Sequence, residues 1–190
     1  MNFSPLYEKI DSLMVTKERI VVAIDGNCAA GKTTLAALLK DRYDCNIFHM
    51  DDFFLRPIQR TPERANEIGG NVDYERFAQE IVGALCITPV CGQFTYQPYD
   101  CRTQTLCEAV SVTPKQLNII EGSYSMHPYF GDVHDLKVFL KVAPETQSRR
   151  LAVRNPQLYD RFINEWAPME NRYFAAFGIE GKCDLVFEVE

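Results

Sequence analysis

The amino-acid sequence predicts an α/β fold, a doubly wound parallel sheet with helices on both faces. Short β-branched apolar runs alternate along the chain with segments of helical periodicity, a pattern typical of parallel strands buried on both faces. The first of these runs, Ile20 to Ile24, leads at once into a glycine-bearing loop and then into helix formers from Thr33 to Lys40. The 190 residues contain neither an internal repeat nor a linker, so we expect a single domain over 1–190.

The other regular elements follow from the same periodicities. Ser4 and Pro5 are a helix-start signal, and apolar residues at helical spacing predict a leading helix over 5–15. Asp73 is a candidate N-cap for a later helix. The patterns predict further strands over 46–49, 117–120, 136–142 and 184–189, and further helices over 74–85, 145–154 and 161–176, the last two separated at Asn155 and Pro156.

The segment from about 90 to 113 has a different pattern. Gly92 precedes the alternating aromatic residues Phe94, Tyr96 and Tyr99, and the alternation continues as far as Val112. Alternation with period two beside a glycine predicts a β-hairpin. We expect this hairpin to be inserted between the α/β elements and to form a flap.

Composition and charge exclude several classes of protein. Hydrophobic residues make up 46% and charged residues 24%, so disordered and collagen-like chains are excluded. The net charge of -6 argues against non-specific binding to nucleic acid or an anionic membrane. No apolar stretch approaches the ~20 residues of a membrane span, and the first residues are charged where a signal peptide is apolar. We therefore expect a cytoplasmic protein without nucleic-acid or membrane partners, and homo-oligomerisation stays open.

The seven cysteines are predicted to be reduced thiols. Their number is odd, no secretion signal precedes them, and none forms the CxxC pairs of a structural zinc site. The three histidines have no zinc-like spacing. A metal cluster is therefore not expected.

A phosphate-binding loop is the strongest functional signal. The segment Gly26 to Thr33 reads GNCAAGKT, a full match to GxxxxGK[ST], and it lies between a predicted strand and a predicted helix, as the motif requires. Backbone N–H groups of such a loop and the N-terminus of the next helix wrap a polyphosphate. Lys32 would reach the β- and γ-phosphates, and Thr33 would offer its hydroxyl to Mg²⁺. The ATP-contacting residues are predicted to be Gly26, Asn27, Cys28, Ala29, Ala30, Gly31, Lys32, Thr33 and Thr34.

Three acidic residues follow predicted strands, at the edge where open α/β sheets bind ligands. Asp51 and Asp52 come after the second strand, and Glu121 ends the LNII strand. Phosphoryl transfer to an alcohol needs a carboxylate that accepts the hydroxyl proton, a role that suits Asp51. Glu121 suits the ordering of Mg²⁺ and its waters. Solvated loop acids, or helix caps in the case of Asp51 and Asp52, are the alternatives.

Arginines form a local positive cluster around the break at 155–156. They are Arg149, Arg150, Arg154 and Arg161, and their guanidinium groups suit bidentate phosphate recognition. A lid over about 149–161 that brought them to the γ-phosphate would neutralise charge and exclude water. Ordinary pairing with acids on the helix surface, such as Glu165, is the alternative.

The remaining histidines and aromatic residues receive structural interpretations. His127 and His134 are expected to cap turns or to lie on the surface, because no nucleophile pattern surrounds them. Five aromatic residues at helical spacing are expected to be core: Phe162, Trp166, Tyr173, Phe174 and Phe177.

These motifs together resemble the uridine kinase group of P-loop kinases, whose relatives act on nicotinamide riboside, phosphoribulose and pantothenate. The segments IDGNCAAGKTTLA and HMDDFF look like the family's phosphate loop and the segment of its catalytic aspartate, here Asp51. The resemblance extends over most of the chain. It implies sugar-hydroxyl binding by Asp73 in GGNVDYERF, a pocket tyrosine at Tyr99 in YQPYDCRTQ, a metal-assisting role for Glu121 in IIEGSYS, and lid arginines at Arg150 and Arg154 in PETQSRRLAVRN.

The sequence departs from this family in the acceptor pocket. Cys101 and Gln104 stand where pyrimidine kinases carry a stacking phenylalanine and a base-reading histidine, and Val72 replaces a phenylalanine. The resemblance implies ATP and Mg²⁺ as cofactors and phosphorylation of a primary hydroxyl on a nucleoside or similar metabolite. Asp51, Asp73, Tyr99 and Gln104 would contact this small-molecule acceptor. A kinase for another hydroxylated metabolite, or a nucleotide-binding regulatory protein without acceptor chemistry, is the alternative.

Overall fold

A computed structural model describes residues 1–87 and 92–190. Its strands are β1 (Ile20–Gly26), β2 (Cys45–His49), β3 (Phe94–Tyr96), β4 (Tyr99–Asp100), β5 (Thr105–Leu106), β6 (Val110–Val112), β7 (Leu117–Glu121), β8 (Leu136–Val142) and β9 (Leu185–Val189). Within the described residues, five of these strands form one parallel sheet in the order β2-β7-β1-β8-β9. The prediction of a parallel α/β sheet is confirmed, with strand ends within two residues of those expected.

Helices cover both faces of this sheet. The α-helices of the described residues are α1 (Ser4–Thr16), α2 (Lys32–Arg42), α3 (Pro62–Asn66), α4 (Tyr74–Phe77), α5 (Gly83–Cys86), α6 (Pro144–Arg154), α7 (Tyr159–Arg161) and α8 (Ala167–Phe177). Alternate residues of β1 belong to two different cores, because successive strand side chains point to opposite faces. Ile20, Val22 and Ile24 pack with α1 and α2, whereas Val21 and Ala23 pack with 74–85 and α8. The doubly wound arrangement is therefore confirmed.

The inserted segment forms paired antiparallel strands. β3 pairs with β6, and β4 pairs with β5 nearer the tip. This confirms the predicted hairpin over its described part, from Gly92 onward. Residues 90 and 91, with which the predicted insertion begins, lie outside the described residues.

Two helices contain a π-helical turn that periodicity did not predict. The helix expected over 74–85 runs through a π turn at Ala78–Val82, and the one expected over 161–176 contains another at Phe162–Trp166. The core assignment of Phe162 and Trp166 is wrong: both rings are half-buried and belong to neither core, and they pack edge-to-face with centroids 4.6 Å apart. Both lie in the π turn, ahead of the part of α8 that packs on the sheet. Tyr173 is fully buried as expected, with Phe174 and Phe177 packed beside it.

His127 is a buried turn cap, as expected. Its Nδ1 accepts a hydrogen bond from the backbone N–H of Tyr129 at 3.2 Å, and its ring stacks on Tyr74 with centroids 4.2 Å apart. Burial lowers the pKa of His127 to about 4. The folded protein therefore binds a proton at this ring less readily than the unfolded chain does.

This difference predicts a loss of stability in mild acid. A histidine with a folded pKa of about 4 and an ordinary unfolded pKa stabilises the fold fully above pH 6.5, and the stabilisation is lost as the pH falls toward 4. At pH 5 we expect the contribution of His127 alone to the free energy of unfolding to have fallen by about 2 kcal/mol. His127→Asn supplies an amide oxygen as the capping acceptor in place of Nδ1 and does not titrate, so its denaturation midpoint should fall less between pH 7.5 and pH 5. Equal slopes for the two proteins would contradict the assignment.

Among the described residues, no helix is both long enough and apolar enough to cross a membrane.

Candidate active site

The phosphate loop lies between β1 and α2, where the motif predicted it. Gly26 has a φ of 135°, and a Cβ at this position would collide with the carbonyl oxygen of Leu140 on the adjacent strand. Gly31 caps α2 with a φ of 96° and has open space where a side chain would be. The N–H groups of the first turn of α2 are therefore accessible beside Gly31, as an anion requires.

Lys32 is buried beneath this loop and held on three sides. Its ammonium donates to the carbonyl oxygens of Gly26 at 2.7 Å and Asn27 at 2.9 Å, and to the hydroxyl of Ser123 at 3.2 Å. An ammonium group has three protons, so these contacts use all of them. A phosphate that binds Lys32 must replace one of these acceptors.

Thr33 and Glu121 meet at the ends of β1 and β7. The Thr33 hydroxyl donates to Oε1 of Glu121 at 3.0 Å. Mg²⁺ prefers such hydroxyl and carboxylate oxygens, so the pair fits the predicted metal site. The described residues contain no group of three or more His, Cys, Asp or Glu side chains placed to hold a metal ion. Mg²⁺ at this pair would accordingly depend on phosphate oxygens and water for its other ligands.

His49 joins this pair, although the sequence analysis did not single it out. Its Nδ1 lies 2.5 Å from the same Oε1 of Glu121, and this hydrogen bond raises the pKa of His49. His49 ends β2 and Glu121 ends β7, and the two residues are paired neighbours in the register of these parallel strands. Their positions at the ends of predicted strands were the signal that could have identified His49. His49 therefore orients the carboxylate that Thr33 also contacts.

Asp51 follows β2 on a short 3₁₀ turn, Met50–Phe53, and is open to solvent. Although Asp51 is exposed at the surface, the many protein atoms around its carboxyl group desolvate it enough to raise its pKa; the charge of Lys32 opposes this rise, and the charge of Glu121 adds to it. Asp51 is thus reachable by a ligand and lies near the charged groups of the loop. A carboxylate in this environment is suited to accept a proton.

Asp52 is half-buried and differs from Asp51 in its contacts. The backbone carbonyl of Asp52 accepts from Arg76 at 3.1 Å, and burial raises the pKa of its carboxyl group. The geometry therefore does not assign Asp51 and Asp52 the same role.

Asp73 is the N-cap of α4, which confirms the structural interpretation of this residue. Its Oδ1 accepts from the backbone N–H of Arg76 at 3.2 Å, and its Oδ2 accepts from the Gln59 side chain at 2.8 Å. The guanidinium groups of Arg76 and Arg56 lie 3.5 and 3.9 Å from Oδ2. Only 2% of the residue is exposed, so a sugar hydroxyl reaches this carboxylate only if Gln59 moves aside.

The flap places its two candidate residues differently. Tyr99 is buried, and its hydroxyl accepts from Arg60 at 3.4 Å, close to the segment that follows Asp51. Gln104 is exposed at the β4–β5 turn, where its φ is 58° and its backbone N–H bonds to Asp100. The contacts of the described residues connect Tyr99, but not Gln104, with the neighbourhood of Asp51.

The four arginines of the cluster also differ in position: three lie beside the phosphate loop, and one does not. Arg149, Arg150 and Arg154 line a cavity of about 710 Å³ together with Ala29, Ala30, Gly31 and Thr34. Arg150 also donates to the carbonyl oxygen of Ala29 at 2.9 Å. Arg161 instead pairs with Glu165 at 3.1 Å and lies over the ring of Trp166, which is the helix-surface alternative.

Glu170 on α8 is a further residue of the site that the sequence analysis missed. It is buried, its Oε2 accepts from the backbone N–H of Cys28 at 2.9 Å, and its Oε1 accepts from the Ser123 hydroxyl at 2.7 Å. Burial and the charge of Glu170 raise the pKa of the Cys28 thiol to about 12, so this thiol stays protonated. One signal was available, because Glu170 shares the buried side of α8 with Ala167 and Tyr173 at helical spacing.

The fold is similar to those of other solved structures. A possible uridine kinase from Bacillus stearothermophilus superposes with a TM-score of 0.68 at 23% sequence identity, over 96% of this chain and 99% of that one. The chain has a uridine kinase-like P-loop kinase fold. The YGR205w protein is also similar, with a TM-score of 0.56 at 10% identity over 92% of this chain and 84% of that one. No protein-family model and no curated protein matches the sequence.

Proposed function

We propose that this protein is a small-molecule kinase that transfers the γ-phosphoryl group of ATP to a primary hydroxyl of a nucleoside or similar metabolite. The observation that carries the proposal is the convergence at the ends of β1, β2 and β7. Lys32 and Thr33 of the phosphate loop, Asp51 after β2 and Glu121 of β7 are brought together there. This set contains a phosphate-binding cation, metal-binding oxygens and a proton acceptor.

Each of these groups has a task in such a transfer. Asp51 would accept the proton of the acceptor hydroxyl and hold its oxygen in line. Lys32 would exchange one of its carbonyl contacts for the phosphate and stabilise the charge that develops on the transferred group. Thr33 and Glu121 would hold the metal, and Arg150 and Arg154 would lie beside the nucleotide in the cavity next to Gly31. Bound MgATP would supply the phosphoryl group and a cation that offsets its charge.

The experiment that tests the proposal is an acceptor screen. The purified protein is incubated with MgATP and a panel of nucleosides and vitamins, and product masses are measured. A mass gain of one phosphoryl group in one acceptor class is expected. A chain that binds ATP but phosphorylates no member of a broad panel would support the nucleotide-binding regulatory alternative, which requires no proton acceptor at Asp51.

Asp73 provides a test of the acceptor class. Asp73→Ala removes the cap of α4 and the acceptor of Gln59, so we expect a loss of about 1–3 kcal/mol in the free energy of unfolding. If its carboxylate also holds vicinal ribose hydroxyls, the KM for a ribose acceptor should rise about tenfold or more, and the 2′-deoxy compound should be a poor acceptor.

The matched control is Thr61→Ala, which removes the N-cap of α3. It should lower the melting temperature and leave the acceptor KM unchanged. A stability loss in Asp73→Ala with the KM of the unaltered protein would contradict the ribose-binding role and leave only the cap.

A further inference from the structure

Glu170 is not among the groups to which the proposed reaction assigns a task, yet it contacts the phosphate loop directly, as Asp25 and Glu121 also do. Its two oxygens have different partners: Oε2 accepts from the Cys28 N–H, and Oε1 accepts from the Ser123 hydroxyl. The carboxylate is buried, so both contacts are protected from competing water. Glu170 therefore bridges α8 to two points, the loop backbone and the loop after β7.

The direction of the Ser123 proton links Glu170 to Lys32. A hydroxyl has one proton, and Ser123 has two acceptors within reach, Glu170 at 2.7 Å and the carbonyl oxygen of Gly26 at 3.2 Å. The shorter, charge-assisted bond to Glu170 is the stronger one. Because the Ser123 hydroxyl donates its proton in the hydrogen bond to Glu170, its oxygen offers a lone pair to the ammonium of Lys32 at 3.2 Å.

Without that carboxylate the hydroxyl would turn to its other acceptor. That acceptor is the Gly26 carbonyl oxygen, which already receives the Lys32 ammonium at 2.7 Å. Ser123 would then compete with Lys32 for this oxygen, and the Cys28 N–H would lose its partner. Both changes would disturb the position of the loop and its lysine.

The backbone that delivers Ser123 is itself unusual. Gly122 has a φ of 132°, and Tyr124 has a φ of 75°, a value that bulky side chains rarely adopt. Tyr124 is buried, so its strained conformation is held by packing. The turn between these residues brings the Ser123 hydroxyl between Glu170 and Lys32.

We infer that Glu170 is a positioning residue of the phosphate loop, which orients Lys32 through the Ser123 hydroxyl and fixes the loop backbone through the Cys28 N–H. This inference rests on the proposed function in one respect, namely that Lys32 and the loop bind the phosphates of ATP. It assigns Glu170 no contact with the reacting atoms.

The test is nucleotide binding measured by calorimetry on the full chain. ATP and inorganic tripolyphosphate are titrated separately into the unaltered protein, Glu170→Gln, Ser123→Ala and the double variant. Each single variant should bind both ligands about tenfold more weakly, the loss expected for one hydrogen bond to a charged group. The double variant should be no weaker than about tenfold, because both changes break the same chain of contacts.

Glu180→Gln is the matched control, since Glu180 is partly exposed and pairs with Lys141 away from the phosphate loop. It should bind both ligands as the unaltered protein does. Melting temperatures are measured on every variant, and if Glu170→Gln does not fold, the comparison of Ser123→Ala with the unaltered protein still tests the link to Lys32.

The possible results separate the two hypotheses. Unchanged affinity with a lowered melting temperature would overturn the inference and make Glu170 a tether of α8 alone. Tighter binding by Glu170→Gln would also overturn it, since the carboxylate would then be a competitor of phosphate. If the affinity losses of Glu170→Gln and Ser123→Ala added fully in the double variant, the two residues would act independently, and the proposed link through Ser123 would be wrong. If the unaltered protein bound neither ATP nor tripolyphosphate, the proposed function itself would fail, and the inference with it.

Discussion

Replacing Lys32 with alanine is expected to reduce phosphoryl transfer by a factor of about 10² to 10³ or more, because the charge that develops near the γ-phosphate loses its nearest cation. The carbonyl oxygens of Gly26 and Asn27 also lose their donor, so the melting temperature should fall by a few degrees while circular dichroism stays native. The rate of phosphoryl transfer to the acceptor found in the screen is the measurement.

Lys40→Ala is the matched control for this variant. Lys40 lies on the same helix but is exposed, so its removal should leave the rate unchanged. Near-normal transfer by Lys32→Ala would be incompatible with a phosphate-binding role for the loop.

Asp51→Asn is expected to separate binding from chemistry. The amide cannot take up the hydroxyl proton, so transfer should fall by a factor of about 10² to 10⁴, whereas ATP should bind at least as tightly as before. Because the pKa of Asp51 is raised, the rate of the unaltered protein should decline with falling pH from a midpoint above the ordinary value for aspartate. That decline should be absent from any residual activity of the variant.

Asp52→Asn makes the same chemical change one residue along the chain. Since Asp52 accepts the hydrogen bond from Arg76 with its backbone carbonyl, which the substitution leaves in place, this variant should keep most of the activity. If Asp51→Asn transfers the phosphoryl group at the unaltered rate, the base is a different residue. If only Asp52→Asn loses activity, Asp52 and not Asp51 is the base.

The sheet and the phosphate loop were predictable because local rules govern them. The loop motif specifies its own backbone conformation, and the ends of parallel strands meet at one edge, so Lys32, Thr33, Asp51 and Glu121 converge once the strands are known. Contacts between side chains that lie far apart in the sequence follow no such local rule. Glu170 reaches the loop from 142 residues further along the chain, and neither composition nor spacing announces that contact.

The acceptor side was harder to predict for a related reason. Asp73 fits both a helix cap and a ligand for hydroxyl groups, and its sequence position does not say which donors surround it. The structure gives its carboxylate to Gln59 and to the backbone of α4. Gln104 lies in the exposed turn because β4 pairs with β5 in the register Asp100 to Thr105, and the sequence alternation alone does not determine that register.

The π turn at Phe162–Trp166 bears on how the length of this chain can vary. A hydrogen bond from residue i to i+5 closes over one more residue than the usual bond to i+4, so this turn contains a surplus residue. Deleting one residue here would restore an ordinary α-helical turn, and α7 and α8 would each still present the same side to the rest of the protein. Glu170, which lies after the turn, would keep its direction toward Cys28. The same deletion inside α8 would rotate every later side chain by about 100°, so the π turn is a point where a homologous chain can be one residue shorter without losing the contact between α8 and the loop.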